Sequence, residues 1–181
     1  MSWPKPVEAL WRELEEARAD VLREVKGISQ AQSEWRPGPR DWSIGEVIDH
    51  LGIAEVATGK LTTKLTKEAA AGGAPAVFPH DLSAFAALPM PASGAADAPE
   101  AVRPTAGKPF PELLATLHAT RDRTRQSFDR LAACDPRRLR FKHFHLGDLD
   151  LAQWWRLTAE HDRVHLGQIR DIKRAPAFPA R

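Results

Sequence analysis

Apolar residues recur at helical spacing in four stretches of the chain. In the first, Val7, Leu10, Trp11, Leu14, Val21, Leu22 and Val25 share one face of a helix expected over about residues 7–26, and Gly27 offers a natural stop. The second helix starts at Ser43. Ser43-Ile44-Gly45-Glu46 has the form of a capping box, and the stripe continues through Val47, Ile48, Leu51, Ala54, Leu61 and Leu65 to about residue 70. The third, over about residues 111–133, carries Leu113, Leu114, Leu117, Thr124, Phe128 and Leu131. Pro111 suits its first turn, and Glu112 suits the positive end of its dipole. The fourth opens at Asp150, which with Gln153 forms a second capping box. Its stripe is Leu151, Trp154, Trp155, Thr158, His161, His165, Ile169 and Ile172, and Lys173 and Arg174 suit its negative end.

Between the second and third helices, residues 72–108 are rich in Ala, Pro and Gly and hold no sustained period. They read as a long connection with one short helical turn near residues 81–88. No stretch reads convincingly as a strand. The expected fold is an all-α four-helix bundle, a single domain over residues 1–181. The long connection has the reach to return along the bundle, which favours a crossover, up-down-down-up order.

Two details within the stripes call for tertiary partners. Gly52 and Gly59 lie seven apart on one face of the second helix and cost helix propensity, so close approach of another backbone is the expected compensation. Arg121 falls inside the third stripe. It reads either as an arginine snorkelling from the margin or as an anion-contacting side chain over a pocket.

Composition narrows the function classes. A formal charge of +2 with both signs well mixed makes no electrostatic case for nucleic acid or an anionic membrane. The basic group Arg137, Arg138, Arg140 and Lys142 reads as a solvated loop. No segment approaches the roughly 20 apolar residues of a membrane span. Residues 1–14 do not have the pattern of a signal peptide. The single cysteine, Cys134, excludes an internal disulfide and fits a reducing cytoplasm. At the end of a helix its thiolate is disfavoured, which makes it a weak nucleophile.

The candidate chemistry lies in three histidines. His161 and His165 are four apart, hence one turn apart on one helical face. His50 holds a similar inward position between Val47 and Ala54. A buried imidazole needs a partner, and three neutral ones facing one interior suit a three-nitrogen divalent-metal site with open positions. Spacing alone equally allows three buried, hydrogen-bonded histidines with no metal. His143 and His145 form a competing pair, placed by the pattern in the basic loop before the fourth helix as surface or loop-packing residues. Glu46 lies one turn before His50 and reads first as the closing residue of its capping box.

Around these residues the chain resembles a known family. Trp42-Ser43-Ile44-Gly45-Glu46-Val47-Ile48-Asp49-His50-Leu51 is similar to the first signature of DinB-like proteins. Leu146-Gly147-Asp148-Leu149, Trp154 and then Glu160-His161-Asp162-Arg163-Val164-His165-Leu166-Gly167-Gln168-Ile169 resemble the C-terminal signature. The resemblance covers nearly the whole chain. It implies a crossover four-helix bundle, commonly dimeric, with one divalent ion on three histidines that map onto His50, His161 and His165; imidazole ligands suit zinc, nickel, iron and copper alike. It also implies a low-molecular-weight thiol cosubstrate, because several members are thiol-dependent transferases or isomerases acting with bacillithiol, mycothiol or glutathione. Other members have no known activity.

The resulting expectation is a cytoplasmic metal-dependent transferase or hydrolase acting on a small electrophilic molecule, with no nucleic-acid or membrane partner. The alternative is a non-catalytic, metal-stabilised scaffold or binding protein. A homodimer is expected, because Trp3, Trp11 and Val7 exceed what one bundle seam needs and Gly52 and Gly59 offer a surface for close helix approach; the alternative is a monomer in which these residues pack under the 72–108 connection.

Overall fold

A computed structural model describes residues 2–73, 77–89 and 98–180. Four long helices carry it: α1 (Lys5–Glu24), α3 (Ile44–Ala71), α4 (Phe110–Ala132) and α5 (Leu151–Arg174), with a one-turn helix α2 (Gln30–Glu34) after α1. Both expected capping boxes form. Ser43 accepts from the Glu46 amide while Glu46 accepts from the Ser43 amide, and Asp150 and Gln153 do the same at α5. Ser29 and Gln32 form a third box that starts α2.

Cross-helix contacts give the direction of each helix. Along α1 and α5 the partners ascend together: Glu13 with Arg156, Arg18 with Asp162, Glu24 with Arg170. They also ascend together along α3 and α4, where Gly45 faces Leu113, Gly52 faces Leu117 and Gly59 faces Ser127. Between α3 and α5 the order reverses, with His50 against His161, Thr58 against Thr158 and Thr62 against Trp155. The bundle is therefore up-down-down-up. The described parts of the connection touch both of its ends. Phe85 and Ala86 accept from Arg156 near the start of α5, and Asp49 at the start of α3 takes the Thr105 amide and Lys108.

Three expectations are corrected. Near residues 81–88 the chain makes a turn at His80–Asp81 and is otherwise irregular; the helical turn is a 3-10 turn at Glu100–Val102. Pro75 and Pro91 of this connection lie outside the described residues. The basic group is not a loop. It spans a 3-10 turn and the first strand of a hairpin, β1 (Arg140–His143) with β2 (Gly147–Asp150), in the register Arg140 to Asp150. Gly147, at a φ of 74°, turns the chain back. Because β1 is exposed along most of its length, it shows no alternation of apolar and polar residues. The glycines do not admit a neighbouring backbone. A Cβ on Gly52 would meet the Leu117 side chain at 3.7 Å, and one on Gly59 the Ser127 hydroxyl at 3.5 Å.

The core is divided. One apolar cluster holds Val7, Leu10, Leu14, Phe128, Leu151 and Trp155; the other holds Val21, Ile44, Ile48, Leu113, Leu117 and Ile169. Between them in sequence, on each of the four long helices, stands a buried polar or charged residue: Arg18, Glu55, Arg121 with Thr124, and Asp162. Arg18 donates from Nε to Asp162 at 2.9 Å and from Nη2 to Glu55 at 2.8 Å. Arg121 donates to Glu55 at 2.9 Å and to Glu15 at 2.9 Å, and the Thr124 hydroxyl donates to Glu55 at 2.5 Å. Arg121 is thus neither snorkelling nor open over a pocket; it is 7% exposed inside an ion-pair network.

Candidate metal centre

The first turns of α3 and the middle of α5 bring His50, His161 and His165 together. The Nε2 of His161 lies 3.0 Å from that of His50 and 3.1 Å from that of His165. One ligand nitrogen from each residue falls within 4.8 Å of the other two. The outer nitrogens of two rings have acceptors. His50 Nδ1 lies 2.6 Å from the Val102 carbonyl, and His165 Nδ1 lies 2.7 Å from Gln168 Oε1. A carbonyl oxygen only accepts, so His50 carries its proton on Nδ1 and turns a lone pair inward at Nε2. The Gln168 amide oxygen sets the same tautomer in His165.

This donor set fits a divalent ion. With lone pairs on His50 and His165, a proton on His161 Nε2 would have to serve two acceptors at once. A cation satisfies all three nitrogens. Nitrogens bonded to a tetrahedral ion at about 2.05 Å stand about 3.4 Å apart, so the rings need only part by a few tenths of an ångström. Burial, helped by the neighbouring His165 and His50 and by the Arg18 charge, holds the His161 pKa down to about 2. Burial takes His165 to about 4 and also lowers His50, against the Val102 hydrogen bond. All three are therefore neutral near pH 7, as ligation requires.

The surroundings limit what reaches the centre. Trp42, half-buried, lies with its ring centroid 4.8 Å from His50 and 6.1 Å from His165, nearly parallel to the latter at 19°. His143 is half-buried at the end of β1. Its Nδ1 accepts from the His145 and Leu146 amides, and its ring packs edge-on against Trp154. Neither His143 nor His145 joins the three-histidine cluster. Glu46 holds the Ser43 amide and Arg36, so it closes the helix cap and has no free oxygen for the site. Cys134 is not a nucleophile here: burial, with Asp135 beside it, pushes its pKa up to about 11.

Sequence reasoning missed Val102 and Gln168 as partners of the ring nitrogens, and it missed Arg18, Glu55 and Asp162. Their signal was present. Leu14, Arg18 and Val21 continue one helical face, as do Leu51, Glu55 and Thr58, so a charge inside each stripe was visible. No spacing rule pairs those charges across helices.

A family model for the DinB superfamily matches residues 13–169. The chain belongs to that superfamily, which includes metal-binding proteins. Uncharacterized protein YuaE of Bacillus subtilis (strain 168) is 35% identical over 54 residues, 30% of this chain and 33% of the relative, so the match spans about a third of that protein's length. The crystal structure of TT2238, a four-helix bundle protein, aligns with a TM-score of 0.62 at 17% identity over 91% of this chain and 98% of that one. That likeness shows the four-helix-bundle fold. No helix among the described residues is long and apolar enough to cross a membrane.

Proposed function

We propose that this protein is a divalent-metal enzyme in which His50, His161 and His165 hold the ion and a small molecule reacts at its open face. The observation that carries this reading is the convergence of three neutral imidazole nitrogens, two of them with their tautomers set from outside. An ion held there supplies the positive charge that makes a thiol or water nucleophilic at neutral pH, and a small electrophile is the second reactant. The chain's own residues do the positioning. Val102 and Gln168 orient the rings, Trp42 walls one side, and the imidazoles contribute no negative charge. A structural zinc site is normally closed by four protein ligands. Three histidines form this cluster, which favours a reactive site over a purely structural one. Zinc, nickel and iron all suit three imidazoles. A homodimer is part of the proposal through the family resemblance.

The test is elemental analysis followed by turnover. About one divalent ion per chain is expected in purified protein, with most of it lost in His161→Ala and retained in His143→Ala. Thiol addition to an epoxide, a chlorinated aromatic or a quinone, or hydrolysis, should then depend on metal and on all three histidines. Metal binding without either activity across a thiol panel makes the protein a non-catalytic binding module. Equal metal content in wild type and His161→Ala removes the centre altogether.

A further inference from the structure

We propose that Asp49 is a positioning residue for the three-histidine centre. By tethering Thr105 and Lys108 it holds the Val102 carbonyl on His50, and so keeps the inner nitrogen of that ring free to bind an ion. The inference rests on the reading of the three histidines as a metal centre and extends it to a residue outside the cluster.

Local sequence makes the carbonyl available. Pro99 precedes the 3-10 turn Glu100–Val102, and the Val102 amide donates back to the Pro99 carbonyl at 3.0 Å. Arg103 comes before Pro104, a place that disfavours helical backbone, and it stands extended at φ −66° and ψ 137°. The turn therefore stops at Val102. The last carbonyls of a helical turn have no partner within it. That of Val102 meets His50 Nδ1 at 2.6 Å.

Three residues further on, the chain is tied to the neighbour of the same histidine. Asp49 Oδ2 accepts the Thr105 amide at 2.9 Å, and Lys108 Nζ donates to the two Asp49 oxygens at 2.8 and 2.7 Å. Asp49 is 7% exposed, and a carboxylate so buried needs donors of this kind. The comparison with His165 shows why a tether matters. Gln168 lies three residues after His165 on α5, so the helix itself brings it to the ring. Val102 lies 52 positions from His50 and belongs to the connection, so no helix holds it there.

Released from Val102, His50 can carry its proton on Nε2 and donate it to His161 Nε2, 3.0 Å away. The lone pair that an ion needs is then lost. The rival role for Asp49 is to anchor the connection for stability alone, which leaves the His50 tautomer unchanged.

Long-range nitrogen–proton NMR spectra of the metal-free protein read the tautomer of each ring, and zinc titration against a chelator reads affinity. In Asp49→Ala, His50 should lose its Nδ1–H state while His165 keeps it, and zinc affinity should fall about ten-fold. Asp49→Asn still offers an oxygen to the Thr105 amide and should recover most of that affinity. An unmoved His50 tautomer, unchanged zinc affinity, release of His50 and His165 together, or an equal loss in Asp49→Asn overturns the proposal and leaves the metal centre standing. Wild-type protein that binds no zinc removes the centre itself. If Asp49→Ala does not fold, Thr105→Pro combined with Lys108→Ala removes both donors from the connection, and the same two measurements decide.

Discussion

His161 stands between two other imidazoles, and burial together with those neighbours makes its protonation difficult. This gives the folded protein a pH dependence of definite sign. In the unfolded chain a histidine titrates near pH 6.5, whereas folding lowers His165 to about 4 and His161 to about 2. Below pH 6.5 the unfolded chain binds protons that the folded chain refuses, so stability is lost as pH falls. Between pH 6.5 and about 4.5, ordinary carboxylates remain largely ionised and the histidines dominate the slope. Metal-free protein should lose up to about 1.4 kcal/mol per pH unit for each of the two. Urea unfolding across that range measures it, and His161→Gln should flatten the curve. A wild-type stability that does not change over the window would mean the rings are not held neutral. The zinc-loaded protein should fall more steeply still, since acid also displaces the ion.

Among the elements, the long helix α3 does the most for the site. Its capping box fixes its start, and His50 projects from its second turn, one residue after the Asp49 that clamps the end of the connection. Its glycines permit a prediction opposite to the one their spacing suggests. Their Cβ positions are open, at ordinary contact distance from flexible side chains of α4. Gly59→Ala and Gly52→Ala should each stabilise the fold by about 0.5–1 kcal/mol through helix propensity. Gly45→Ala should destabilise it, because its Cβ would stand 3.0 Å from the Ser33 backbone carbonyl, which cannot swing aside. Denaturant midpoints of the three variants check the ranking; a loss in Gly59→Ala would restore the close-approach reading.

At the scale of the whole molecule, the charged layer joins α1, α3, α4 and α5 in one network, and the large residues expected at a dimer interface pack wholly or partly against the core. Val7 is fully buried. Trp3 and Trp11 pack on Phe128 at centroid distances of 5.6 and 5.0 Å, and Trp3 donates its indole N–H to Asp129. Both tryptophans stay half-buried, packed against α4. Trp11→Ala should lower stability by about 3 kcal/mol with no change in the mass measured by light scattering. A shift from twice 20.1 kDa to 20.1 kDa without loss of stability would put Trp11 back at an interface.

Local spacing by itself determined the four long helices, two of their caps and the His161–His165 pair, because a helix places residues four apart on one face whatever surrounds it. It also marked His50 as inward, and the crossover followed from the length of one connection. The remaining features depended on which helices touch. His50 meets His161 across 111 positions of sequence, and Val102 reaches His50 only because the connection is clamped at Asp49. Arg18, Glu55, Arg121 and Asp162 each look like an error in an apolar stripe until four helices bring them to one level. The hairpin escaped the pattern because its first strand is mostly exposed and buries no alternating face. Periodicity reports which side of an element meets the interior; it carries no information about what waits there, and pairing between distant charges and rings is decided only when the chain packs.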